Sequence, residues 1–221
     1  MSAVILSKTY TELPVCQSEI RRYAGDRSGG GATAALLAEC LEEARGQLSY
    51  RVCYRKLAVS AEGDVCDFGV FRLTSKNLAK NLAGCRRAIL FAATVGVGID
   101  RLIAKYGRIS PAKALMFQAI GAERIEALCD AFCDDMAKET CAGLRPRFSP
   151  GYGDVPLAVQ RDIFSVLDCP RQIGLSLNDS LLMSPSKSVT AFVGLSDGGD
   201  GPAGGKCGAC GKKDCAFRGA L

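Results

Sequence analysis

From Val15 to Ala24 apolar residues recur at helical spacing, and the run stops at Gly25-Asp-Arg-Ser-Gly-Gly-Gly31, a loop by composition. A second helix is predicted from about Ala32 to Arg45, rich in Ala, Leu and Glu. The period then changes. Ser49 to Ser60 alternates β-branched and aromatic residues with polar ones, and Asp64 to Leu73 follows after the turn signal Ala61-Glu-Gly-Asp64, so the two predict a hairpin. Leu73 to Leu82 returns to helical spacing with Thr74 or Ser75 as cap, and Ala88 to Gly96 is an apolar run suited to a buried central strand. Ser110-Pro111 opens a long helix to about Thr140, with apolar residues at 115, 116, 119, 120, 125, 128, 129, 132, 133 and 136. Its other face holds Glu123, Glu126, Asp130, Asp134 and Asp135, a carboxylate stripe that by default is solvated. Beyond it lie a loop with three prolines and two glycines (Leu144 to Pro156) and a shorter helix (Val155 to Leu167). The last stretch, Ile173 to Ser196, reads as two strands joined through Ser184-Pro-Ser-Lys187. Strands and helices in mixed order with hairpin-type connections predict an α+β fold.

Composition narrows the function. With 221 residues, 48% hydrophobic and 23% charged, the chain can bury one full core, expected over residues 1–195. No apolar run is long enough for a membrane span, and the N-terminus lacks the basic and apolar regions of an export signal, so a cytoplasmic location is expected. A net charge of +5, scattered among acids, does not imply nucleic acid. The absence of His excludes a His general base, the usual catalytic triads and every His-ligated metal site. Two glycine clusters carry no nucleotide signature. After Gly30 a phosphate loop needs Lys and Ser or Thr, but Gly31 and Ala32 stand there; after Gly96 and Gly98 a dinucleotide fingerprint needs a third Gly, but Arg101 stands there. A plain strand-to-helix turn accounts for Gly96 and Gly98.

Twelve cysteines stand out in a chain expected to meet reducing conditions. Cys53, Cys66, Cys129 and Cys133 sit on apolar faces, where a thiol behaves as a small hydrophobe. The end of the chain is different. A Gly-rich linker over 196–206 leads to a tail, 207–221, with Cys207, Cys210 and Cys215 spaced C-x2-C-x4-C. Three soft ligands suit zinc or an iron–sulfur cluster, the fourth position falling to Cys16, Cys169, Asp214, a partner or a small molecule.

Two stretches carry a family resemblance. Arg147-Phe-Ser-Pro150-Gly151-Tyr152 is similar to the R-x-x-P-G-Y motif of the activation domain of cobalamin-dependent methionine synthase, and Ser180-Leu-Leu-Met183-Ser-Pro185-Ser-Lys-Ser188-Val189 resembles its S-x-x-M-x-P-x-x-S-V stretch. The resemblance implies a twisted mixed or antiparallel sheet with flanking helices, and an S-adenosylmethionine pocket formed by Arg147, Pro150, Gly151, Tyr152 and Ser188. An Arg fork takes an amino acid carboxylate bidentately, and Pro150-Gly151 sets a turn whose second residue can take positive φ. Tyr152 is expected on the corrin side near the cobalt, as the catalytic residue; the ligand's ammonium is expected at Asp130 by the best register, or at Glu126 or Asp134. The chain departs from the family twice. Gly153-Asp154-Val155 intervene before Pro156, where the family often has a second Pro and small residues, and the aromatic pair after the Ser-Val is reduced to Phe192 and Val193.

The resemblance implies a module that supports reductive methylation of cobalamin. At 221 residues the homocysteine, folate and cobalamin domains of the whole enzyme have no room, so the cobalamin is expected on a partner, a methionine synthase domain or another corrinoid protein. Reduction of cobalt needs an electron, which favours a 4Fe-4S cluster over zinc in the tail. Two competing readings are an S-adenosylmethionine sensor without corrinoid contact, and an electron-transfer protein whose working part is the tail.

Overall fold

The central strand, Arg87–Thr94, is buried along all but its first residue, and its alternate side chains feed two separate cores. In the computed structural model, which describes residues 4–26 and 30–196, the order is β1 (Leu6–Tyr10), α1 (Gln17–Tyr23), α2 (Gly31–Ala44), β2 (Tyr50–Ala58), β3 (Ser60–Glu62), β4 (Val65–Asp67), β5 (Arg72–Thr74), α3 (Lys76–Asn81), β6 (Arg87–Thr94), α4 (Gly98–Ile109), α5 (Pro111–Thr140), β7 (Gly143–Leu144), a 3-10 turn (Leu157–Val159), α6 (Gln160–Leu167), α7 (Cys169–Ile173), β8 (Ser176–Leu177), β9 (Met183–Ser184) and β10 (Ser188–Ser196). The main sheet runs β1-β2-β6-β10-β7, every pair antiparallel. Ile89, Phe91 and Ala93 meet α1, α2, α4 and α5 on one face; Ala88, Leu90 and Ala92 meet β3–β5, α3, α6 and α7 on the other. The expected α+β class and antiparallel sheet are present.

The hairpin expected between residues 49–60 and 64–73 is corrected. β2 is buried on both faces, with Tyr50, Val52 and Tyr54 on one and Cys53 and Leu57 on the other. Such a strand belongs inside a sheet, and β1 and β6 take its two edges. The Glu62–Asp64 turn therefore joins only β3 and β4, in a small separate sheet with β5. A second correction concerns the strand expected before Pro185. Asn178 Oδ1 accepts the Leu182 N–H at 2.9 Å, and the turn leaves only the two-residue pairing of β8 with β9. The turn after β6 is the plain strand-to-helix connection that the missing glycine implied: Gly96 has φ +81, and a Cβ at Gly98 would lie 1.9 Å from the Gln47 carbonyl oxygen.

Ser75 caps α3 as expected, its hydroxyl accepting the Leu78 N–H at 3.0 Å. α5 spans 30 residues, about 45 Å at ~1.5 Å per residue, and packs its apolar face across the sheet. Among the described residues no helix is long and apolar enough to cross a membrane.

Candidate functional site

The edge of β10 builds the site. Leu144 pairs with Leu195, and the Arg145 N–H donates to the Gly194 carbonyl at 2.9 Å. Phe148 and Phe192 then exchange both backbone hydrogen bonds, at 2.9 and 2.8 Å. Between these pairings Pro146 and Arg147 stand opposite the single residue Val193, which is a β-bulge, and Pro146 has no N–H for the ladder to lose. The bulge re-aims the side chains. Phe148 enters the core with Phe192, while Arg147 reaches α5.

There its Nη1 donates to Asp130 Oδ1 at 2.5 Å and its Nη2 to Glu126 Oε2 at 2.6 Å. Glu126 and Asp130 are four apart on one helix, so they share a face and repel one another until a cation joins them. The Arg147 side chain is 16% exposed, but Glu126 and Asp130 are 39% and 51% exposed, so the cluster is closed from below and open above. Burial works against the guanidinium's charge, and the carboxylates of Glu126 and Asp130 outweigh it, leaving its pKa above the ordinary value. Burial pushes the Cys129 thiol up, so that side chain floors the cluster as a neutral group. Tyr23, at the end of α1, is raised by burial and then by the nearby carboxylate of Glu126.

The chain continues into Pro150-Gly151-Tyr152. Gly151 takes φ +84, and its N–H donates to the Val155 carbonyl at 2.9 Å; the Tyr152 N–H donates to Ser149 and the Val155 N–H to Tyr152, at 3.1 and 3.2 Å. Pro150 is buried, whereas Tyr152 is exposed, resting edge-on against Phe148 with centroids 5.3 Å apart. Thus Arg147, Asp130, Glu126, Gly151 and Tyr152 fall at one edge of the sheet.

Ser188 sits elsewhere on that edge. It precedes Phe192 by four strand positions, about 13 Å at ~3.3 Å per residue. Its hydroxyl is buried, 2.8 Å from both Thr94 Oγ1 and the Pro185 carbonyl, and locks the start of β10 to the end of β6. Phe192 stacks on Phe68 at 5.0 Å and Val193 enters the helical core, so neither residue of the reduced aromatic pair reaches the surface. The acidic stripe on α5 is not simply solvated. Glu123 is buried beside Arg124, and Asp135 accepts the Tyr10 hydroxyl at 2.9 Å. Asp134 is exposed and lies outside the Arg147 pairing. The sequence reads residues 144–156 as a loop and does not show the bulge, because the pairing with β10 that forms it comes from a distant segment.

Cys53, Cys66, Cys129 and Cys169 are buried, Cys133 is half-buried, and Cys16 and Cys141 are exposed. Among the described residues no group of three or more Cys, Asp or Glu is placed to hold a metal. Cys207, Cys210 and Cys215 lie outside the described residues.

No curated protein sequence matches the chain. Its architecture is similar to that in a crystal structure of the MetH reactivation domain bound to AdoHcy, with a TM-score of 0.63 over 87% of this chain and 78% of that one. At 14% identity the likeness is one of fold. The family model for the vitamin B12 dependent methionine synthase activation domain matches residues 78–199, which include α5, the bulge, the Pro150–Tyr152 turn and β10. The chain belongs to the family of the vitamin B12-dependent methionine synthase activation domain.

Proposed function

We propose that the chain binds S-adenosylmethionine at the Arg147 cluster and presents it to a cobalamin held by a separate protein. The observation that carries this reading is the half-open ion pair: one buried fork against two acids that are each more than a third exposed. An amino acid head group is a zwitterion, and it complements such a cluster on both counts. A guanidinium has five N–H donors, of which Nη1 and Nη2 each spend one on α5, so a carboxylate can join without expelling both acids. The ammonium finds acceptors on Glu126 and Asp130. Gly151, with its open backbone, lets the rest of the ligand approach the chain closely. The MetH reactivation domain of similar fold was crystallised with AdoHcy bound, which supports the same ligand class.

Cobalamin held by the partner and reduced by an external electron donor would supply the methyl acceptor, S-adenosylhomocysteine being the other product. For the chain's own residues the work is positional. Arg147 and the acids fix one end of the ligand, and the exposed Tyr152 ring offers a flat surface beside it for the corrin to rest on. The partner is proposed to be a cobalamin-binding domain of a methionine synthase or another corrinoid protein.

Ligand linkage tests the binding. S-adenosylmethionine or S-adenosylhomocysteine at about a hundred times its dissociation constant adds ~2.7 kcal/mol of stability. A thermal scan without a shift at millimolar ligand contradicts the reading. Retention of a cobalamin-loaded protein on the immobilised chain, lost with Tyr152→Ala, tests the partner. We further propose that Cys207, Cys210 and Cys215 hold zinc or a 4Fe-4S cluster. Anaerobic metal analysis of the triple Ser variant tests it, since full metal content there assigns the metal elsewhere.

A further inference from the structure

α3 holds the functional loop at both ends. At one end the Asn81 amide donates to the Pro146 carbonyl at 3.1 Å, inside the bulge that aims Arg147. At the other end Asp154, two residues after Tyr152, reaches back to the start of the same helix. Its carboxylate accepts the Ser75 hydroxyl, the Lys76 N–H at 2.8 Å and the Asn77 N–H at 3.2 Å. Ser75 is itself buried and fixed, with its N–H on the Asp64 carbonyl at 2.8 Å. The seam is close as well as polar. Gly153 has φ +59, and a Cβ there would stand 2.8 Å from Asn77 Nδ2 and 3.3 Å from the Phe148 ring. α3 cannot drift, because Leu78 and Leu82 are fully buried beneath it.

The loop between these two anchors is only seven residues, from Arg147 to Gly153, and it carries both Arg147 and Tyr152. A proline stiffens a loop by restricting φ; a carboxylate across two helical N–H groups and a hydroxyl achieves the restriction through space instead.

We propose that Asp154 is a positioning residue that docks the Pro150–Tyr152 turn on α3 and thereby fixes Tyr152 and the bound ligand relative to Arg147. The inference about the ligand rests on the S-adenosylmethionine reading above; the inference about the turn stands on the hydrogen bonds alone. Asp154 suits a test by substitution because it is exposed, so its loss leaves no buried charge behind. Its carboxyl is held below the ordinary range first by the Ser75 hydroxyl and, against burial, by the Asn77 and Lys76 N–H groups. A depressed carboxyl contributes above its unfolded-state pKa and is lost as pH falls through its folded one. The clamp is therefore present at neutral pH and opens only in acid.

The experiment uses the full chain labelled with 3-fluorotyrosine, the Tyr152 resonance being assigned by Tyr152→Phe, with S-adenosylhomocysteine affinity measured in parallel by calorimetry. For Asp154→Ala the expected results are a Tyr152 signal shifted toward that of a mobile ring, an unchanged melting midpoint within a few degrees, and affinity lower by about three- to tenfold. Asp154→Asn keeps one acceptor oxygen and recovers part of both. In the wild type the Tyr152 signal moves toward the Asp154→Ala position as the pH is lowered, and in Asp154→Asn it does not follow that titration. An unmoved Tyr152 signal in Asp154→Ala overturns the clamp. A mobile ring with wild-type affinity overturns the positioning of ligand while leaving S-adenosylhomocysteine binding in place. Absence of binding in the wild type instead removes the ligand reading, and the fluorine signal still decides the clamp.

Discussion

Two arginines pair with acids of α5, Arg124 from within the helix and Arg147 from the segment after it, and they are built to opposite ends. Arg124 is 2% exposed and Glu123 beside it 5%. Its guanidinium donates to both oxygens of Glu123, at 2.5 and 2.6 Å, and to the carbonyls of Leu13 and Pro14, at 2.9 and 2.5 Å. Glu123 also accepts the Cys16 N–H at 3.0 Å. These bonds tie the segment before α1 to α5, and there is no open side for a ligand. Arg147 has the same chemistry with its acids half in water. A closed pair fixes the chain and an open pair can exchange partners, so charge alone does not separate the two arginines; the exposure of their acids does.

Breaking each pair sharpens the contrast. Arg124→Ala leaves Glu123 buried without its cation and is expected to cost about 3–5 kcal/mol of stability, read from urea denaturation. Replacing both members by apolar residues of similar volume is expected to return most of that loss. A change below about 1 kcal/mol for Arg124→Ala means the pair is not the anchor described. Arg147→Ala acts on the other axis, with S-adenosylmethionine affinity falling by about 1.5–3 kcal/mol, or ~10- to 150-fold, while stability moves less than in Arg124→Ala. Arg147→Lys keeps the charge without the fork and recovers part of the affinity. Calorimetry giving wild-type affinity in both variants reduces Arg147 to a surface ion pair.

The smallest effects belong to the acids. Asp130→Asn removes one half-exposed carboxylate and is expected to weaken the ligand by about 0.5–1 kcal/mol, with stability unchanged within error. Glu126→Gln, nearer the floor of the cluster and beside Tyr23, is expected to do somewhat more. If either variant tightens binding, the acids compete with the ligand's carboxylate instead of holding its ammonium.

The long helix, the central strand β6 and the cap at Ser75 were legible because each is a local pattern: a 3.6-residue period, an apolar run, a hydroxyl before a helix. β2 was legible as a strand but not in its partners, since pairing depends on residues up to about fifty positions away, as with Leu6 and Tyr54. For the site, Arg147, Pro150, Gly151 and Tyr152 were read from one contiguous motif, and α5 was placed correctly enough to offer Glu126 and Asp130. What separated Glu123 from them was invisible at sequence level, because all three lie on the acidic side of the same helix. Only the course of residues 13–16, which bury Glu123 and not Glu126, tells them apart. Ser188 shows the converse limit: its place in a motif was clear, but its hydroxyl bonds inward to Thr94 and Pro185.

The open pair on α5 is proposed to recognise a zwitterionic head group. Calorimetry of wild type and Arg147→Ala with S-adenosylhomocysteine and with 5′-methylthioadenosine, a thioether of the same nucleoside without the amino acid, tests it most directly. The wild type is expected to prefer the intact ligand by at least about tenfold and Arg147→Ala to lose most of that preference, a coupling of ~1.4 kcal/mol or more. Equal affinity of the wild type for both compounds, or a preference that survives Arg147→Ala unchanged, contradicts it.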